Sequence, residues 1–196
     1  MPSVNRRYFT MPPEHYLSLA TREFERLKQL ADKAISQLPA ECFFAAPHET
    51  DNSIGIIVKH MGGNSLSRWT DFLTTDGEKP DRRRDTEFLI LPGDTRETLL
   101  ARWEAGWAAL FTALRPLSAT DLDRLITIRG EPLTVLQAIS RQLTHYAYHV
   151  GQIVYLAKHF AGARWKSLSI PIGQSAQFNQ TPAKYLENTK PGGGEQ

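Results

Sequence analysis

Apolar residues recur at steps of three and four over four long stretches of this chain, the pattern of amphipathic helices. In the first, from about Pro12 to Leu38, Leu17, Ala20, Phe24, Leu27, Ala31, Ala34 and Leu38 form one stripe, and Pro39 stops it. The second opens at Asp51, Asn52 or Ser53, all good N-caps, and its stripe of Ile54, Ile57, Met61, Trp69 and Phe72 runs on toward Asp76 and Gly77. From residue 76 to about 94 the periodicity lapses, and Gly77, Pro80, Pro92 and Gly93 mark a long irregular connection. A connection of that length in a compact domain usually covers something or carries function.

The third helix starts from Asp94 or Thr95, with Glu97 as capping-box partner if Asp94 is the cap. Leu99, Trp103, Trp107, Leu110, Phe111 and Leu114 should face inward, and Pro116 ends it. The stretch Leu125 to Pro132 alternates and turns at Gly130, which predicts a small hairpin. The fourth helix runs from about Pro132, a residue suited to a first turn, to Phe160, with Ala161 and Gly162 closing it. Residues from Arg164 onward read as an extended strap with a short helix near Pro182 to Glu187.

These elements predict an all-α fold: a four-helix bundle with a long crossover connection between helices two and three and a small hairpin before helix four. Residues 1–190 should make a single domain, with 191–196 a disordered tail.

Composition narrows the function. The chain has 196 residues, of which 41% are hydrophobic and 22% charged, ordinary values for a soluble globular protein. A net charge of +2 is too small to argue for nucleic acid. The densest basic cluster, Arg82, Arg83 and Arg84, is bracketed by Asp81 and Asp85 and reads as a solvated or interface loop. Cys42 is the only cysteine, so an intrachain disulfide is impossible; beside Phe43 and Phe44 it reads as a small hydrophobe. No apolar run reaches membrane-spanning length and no signal-peptide pattern opens the chain, so the expected address is the cytoplasm.

The candidate chemistry lies in His145 and His149, in the run Thr144-His145-Tyr146-Ala147-Tyr148-His149-Val150. Histidines four apart on a helix project to one side, one turn above the other, where both rings reach one divalent cation. Two ligands rarely suffice. His60, in Val58-Lys59-His60-Met61-Gly62-Gly63-Asn64, offers a third, and the small Gly63 and Ser67 beside it leave space. Three histidines with an open coordination position describe an exchangeable or catalytic site, whereas the competing reading is three hydrogen-bonded histidines with no metal role. His15, His48 and His159 have no comparable setting and read as surface residues.

Val58-Lys59-His60, together with His145-Tyr146-Ala147-Tyr148-His149-Val150-Gly151-Gln152-Ile153, resembles the DinB/YfiT-like family of metal-binding four-helix bundles over about Pro12 to Ala161. The stretches from Gly62 to Phe72 and from Thr74 to Pro80 look like a branch of that family with uncharacterised function. The resemblance implies a divalent metal (zinc or nickel) on His60, His145 and His149. It also implies transfer chemistry on a low-molecular-weight thiol such as bacillithiol, mycothiol or glutathione, acting on a small electrophile. A non-catalytic metal-binding dimer is one alternative. A metal-dependent hydrolase is another, for which Asp71, Glu78 and Glu131 are the candidate bases. A homodimer is expected, with Trp69, Phe72, Trp103 and Trp107 filling a shared seam, unless they pack the monomer core instead.

Overall fold

The computed structural model describes residues 12–180. Four long helices carry the molecule: α1 (Pro13–Ser36), α2 (Ile54–Trp69), α3 (Arg96–Leu114) and, after a hairpin of β1 (Leu125–Ile128) and β2 (Glu131–Thr134), α4 (Val135–Ala161). A short α5 (Ser175–Asn179) follows. The expected helix at 182–187 and the tail at 191–196 lie outside the described residues.

Contacts between helices fix their directions. Lys59 pairs with Asp94, Gly62 abuts Arg102 and Ser65 bonds Gly106, so α2 and α3 run parallel. Tyr16 reaches Ser140 and Gln37 reaches Lys166, so α1 and α4 are parallel too. Asp32 bonds Trp103, and Asn64 bonds Gln142, which sets the first pair antiparallel to the second. Parallel neighbours cannot be joined by a tight turn. The segment from 70 to 95 therefore runs back along the bundle as the expected crossover, and a single 3-10 turn at Arg84–Phe88 packs its middle against α2.

The stripes read from the sequence meet in the core. Phe24, Trp69, Trp103, Trp107 and Tyr146 are all at most 3% exposed and touch edge-to-face around the bundle axis. Phe72 is buried as well, so the aromatic residues expected at a dimer seam belong to the monomer's own core.

Two boundaries differ from expectation, each for a local reason. Helix α2 ends at Trp69, before Asp76 and Gly77, because Thr70 is extended and Asp71 turns left-handed at φ 49°, a conformation aspartate tolerates. The Asp71 carbonyl then accepts the backbone N–H groups of Thr74 and Thr75, which replaces the lost helical turn. Asp76, in place of closing a helix, accepts the backbone N–H groups of Glu78, Arg129 and Gly130. It thereby clamps the hairpin turn, where Arg129 and Gly130 take φ 56° and 76° as primed two-residue turns require.

Pro132 sits in β2 and not in the first turn of α4, whose cap is Thr134 in a capping box with Gln137. Thr95, boxed with Thr98, caps α3, while Asp94 is drawn away to Lys59 and Glu97 has no part in the box. Phe111, expected inward, is only half-buried.

Candidate metal centre

Three sequence-predicted histidines converge where α2 faces α4. His60 and His149 are buried and His145 is half-buried, and one nitrogen of each lies within 4.8 Å of the other two. The His145 Nε2 stands 3.4 Å from His60 Nε2 and 3.1 Å from His149 Nε2. Tetrahedral nitrogen ligands at 2.0–2.1 Å from one ion stand about 3.3–3.4 Å apart, so both pairs that include His145 are already near ligand spacing. These residues could hold a metal ion.

The outward nitrogens are held. His60 Nδ1 donates to Glu87 Oε2 at 2.9 Å, and His149 Nδ1 donates to Gln152 Oε1 at 2.8 Å. Both bonds fix the tautomer that leaves a lone pair on Nε2, the pattern by which metal-binding histidines are oriented. His145 differs. Its Nδ1 lies 3.2 Å from the Gln142 amide nitrogen, which also donates to Asn64 Oδ1 at 2.8 Å. With that amide orientation the His145 proton resides on Nε2, between its two neighbours.

Burial of His145, followed by the nearby His149 and His60, pushes its pKa down to about 3. His149 is lowered too, first by burial, against the raising effect of the Gln152 bond. Both rings are therefore neutral near pH 7, the state a metal ligand requires.

Glu87 comes from the crossover and not from a helix. Burial alone would raise its carboxyl pKa, but the bonds from Arg82 and His60 outweigh that and hold it below the usual carboxylate range. Arg82 grips it in a fork, Nε to Oε1 at 2.9 Å and Nη2 to Oε2 at 2.8 Å, and passes Nη1 to Glu78 at 2.9 Å. Gly63 makes this possible, since a Cβ there would lie 2.3 Å from Glu87 Oε1. The space predicted beside His60 thus exists, and a carboxylate fills it. Phe88, from the same turn, lies over the His60 ring with centroids 4.8 Å apart.

This corrects the reading of the arginine run as a solvated loop: the Arg82 side chain is 3% exposed and locked in place, while Arg83 and Arg84 stay on the surface. The candidate bases are not at the triad. Glu78 serves Arg82, Asp71 is exposed on the crossover, and Glu131 is exposed on β2. His15, His48 and His159 are exposed, as expected, and Cys42 is a half-buried thiol against the core. Sequence reasoning missed Glu87 and Arg82; their one signal was their place in a connection too long to be idle.

Arg68, two turns beyond His60 on α2, is 7% exposed, yet its Nε and Nη1 have no hydrogen-bond partner among the described residues. Burial lowers its pKa, and Arg141 adds to that.

The model of a family of proteins of unknown function, DUF1572, matches residues 12–174. The chain belongs to that family. The matched span of this DUF1572 member contains the three histidines, Glu87 and Arg82. No curated protein matches the chain. None of the described helices is long and apolar enough to cross a membrane.

Proposed function

We propose that this DUF1572 protein is a DinB-like metal protein that binds one divalent cation, zinc or nickel, through the Nε2 atoms of His60, His145 and His149. On this reading it promotes transfer of a low-molecular-weight thiol onto a small electrophile. The observation that carries the reading is the set of three histidine nitrogens turned toward one point, two of them backed by an acceptor on the opposite ring nitrogen. A divalent cation in that position favours a thiolate over a thiol near neutral pH, which supplies the nucleophile.

The chain's own residues prepare the site. Glu87, charged and gripped by Arg82, accepts the His60 Nδ1 hydrogen and fixes the ring's orientation. Ligation through His145 Nε2 requires its proton to move to Nδ1. The Gln142 amide then turns to present its oxygen, and Asn64 turns with it. His145 is the least buried of the three histidines, so a thiol would approach from its side.

Hydrolysis is disfavoured by the carboxylates. Among the described residues Glu87 is the one carboxylate bonded to a triad histidine, and its oxygens are committed to Arg82 and His60. It is therefore poorly placed to activate water. A cytoplasmic address and a homodimer belong to the same proposal. With the tryptophans in the core, the apolar residues left for a partner copy include Leu89, Ile90, Tyr148 and Tyr155.

The test is a thiol-consumption screen on protein of known metal content, with bacillithiol, mycothiol and glutathione against several electrophiles. Loss of thiol that stops on metal removal and returns with added metal supports the proposal. Metal-dependent cleavage of esters or amides with no thiol consumed replaces transfer by hydrolysis. Metal binding with neither activity leaves a binding protein.

A further inference from the structure

A cavity of about 670 Å³ opens beside the triad, walled by one strip of α2, by Arg102 of α3 and by the crossover from Lys79 to Glu87. Its volume lies in the range of small-molecule sites. The α2 strip includes Gly63 and Ser67, so small side chains make the floor. None of the three histidines lines it. The nearest link is Glu87, a cavity-wall residue whose Oε2 binds His60 and whose Oε1 crowds Gly63.

The charges on its walls are not balanced internally. Lys59 is neutralised by Asp94, and Arg82 by Glu87 and Glu78. Lys79, Arg83 and Arg102 also line the cavity, and among the described residues none of them makes an ion pair; Lys79 donates to the Asp76 carbonyl. Asp71 and Asp81 line it too; burial lowers the Lys79 pKa, and both carboxylates lie near enough to raise it against that larger effect. Three cations and two anions therefore line one concave pocket. Guanidinium groups without a carboxylate recognise planar or tetrahedral oxyanions through paired N–H donors.

We infer that this cavity is a second binding site, separate from the triad, for a small polar molecule that carries an oxyanion group, phosphate or carboxylate. Arg102 and Arg83 grip the oxyanion, while Asp71 and Asp81 take an amino or hydroxyl group at its other end. This does not require the metal proposal to hold, because every residue invoked lies outside the triad.

The test is calorimetric titration of metal-stripped full-length protein with inorganic phosphate, O-phosphoserine and malonate at constant ionic strength. Saturable binding of at least one probe is expected, weakened at least tenfold in Arg102→Met and in Arg83→Met and unchanged in Lys158→Met. Both arginines are exposed, so matching thermal unfolding without ligand checks that the variants fold. O-phosphoserine binding tighter than phosphate supports the acidic end of the pocket, and preference for malonate identifies the group as carboxylate. Absence of saturable heat with all three probes in the unmodified protein, or equal affinity in both arginine variants, overturns the inference.

Discussion

The bundle has two interiors of opposite character. Between α1, α2, α3 and α4, Phe24, Trp69, Trp103, Trp107 and Tyr146 pack edge-to-face with almost no water contact. On an adjoining face of α2 and α4, His60, Asn64, Gln142, His145 and His149 fill the same kind of space with polar groups joined atom to atom. The aromatic region stabilises the fold through buried area and close packing, which is non-directional and repays bulk. The polar seam costs desolvation that its hydrogen bonds offset, and it spends three inward nitrogens on one another. Three imidazoles at hydrogen-bonding range offset little more than their own desolvation, and a bound cation would use all three. That contrast is the physical case for a cation there.

Substitutions should separate the two regions. The largest effect is expected from Trp103→Ala, which empties a buried volume and frees Asp32 from its indole bond, and should cost about 3–5 kcal/mol in urea unfolding. Metal content per folded chain should not change. A cost below about 1 kcal/mol would mean that the aromatic region relaxes and is not a close-packed core.

Next in size is the support shell. Glu87→Gln should weaken metal binding about 10–100-fold in a competition against a chelator, and it should also lower stability in urea unfolding, because the buried Arg82 loses its carboxylate partner. Gly63→Ala should reproduce it, because the added Cβ would lie 2.3 Å from Glu87 Oε1 and push that carboxylate off His60. Unchanged affinity in both variants would remove Glu87 from the account.

How much of this was legible in the sequence follows from the same contrast. The apolar stripes of α1, α3 and α4 fixed those helices to within a few residues, since burial imposes its period on the chain. The histidines were legible because four-residue spacing on a helix is a geometric statement. The end of α2 was not legible, because the stripe continues through Phe72, which is buried, although the backbone has already turned at Asp71. Glu87 and Arg82 lay hidden for a different reason. Their roles depend on where a long irregular segment doubles back, and no periodicity encodes that. For Trp69, Trp103 and Trp107 the sequence left a shared seam and the monomer core both open, since pattern alone does not say which of two apolar faces meets which neighbour, and they are core.

A third effect concerns acid. In the unfolded chain His145 titrates near 6.5, while in the fold burial and then its histidine neighbours push it to about 3. Between those values the unfolded chain binds more protons, so metal-free protein should lose stability steadily as pH falls through that window. Glu87, held below its usual 4.5, adds loss in the same direction as pH falls past that value. Unfolding midpoints from pH 7 to 4 check this, and His145→Gln should flatten the upper part of the profile. The smallest effect is local: Thr95→Ala removes the cap of α3 and should cost about 1 kcal/mol with no change in metal content.

The central claim is that His60, His145 and His149 form one cation site, and elemental analysis of untagged protein tests it most directly. The account predicts about one divalent metal per chain in the unmodified protein, set by three histidine ligands. It predicts near-complete loss in His60→Ala and in His149→Ala, with circular dichroism unchanged. Full metal retention in both single variants, or no metal taken up by the unmodified protein after incubation with zinc or nickel, would contradict it.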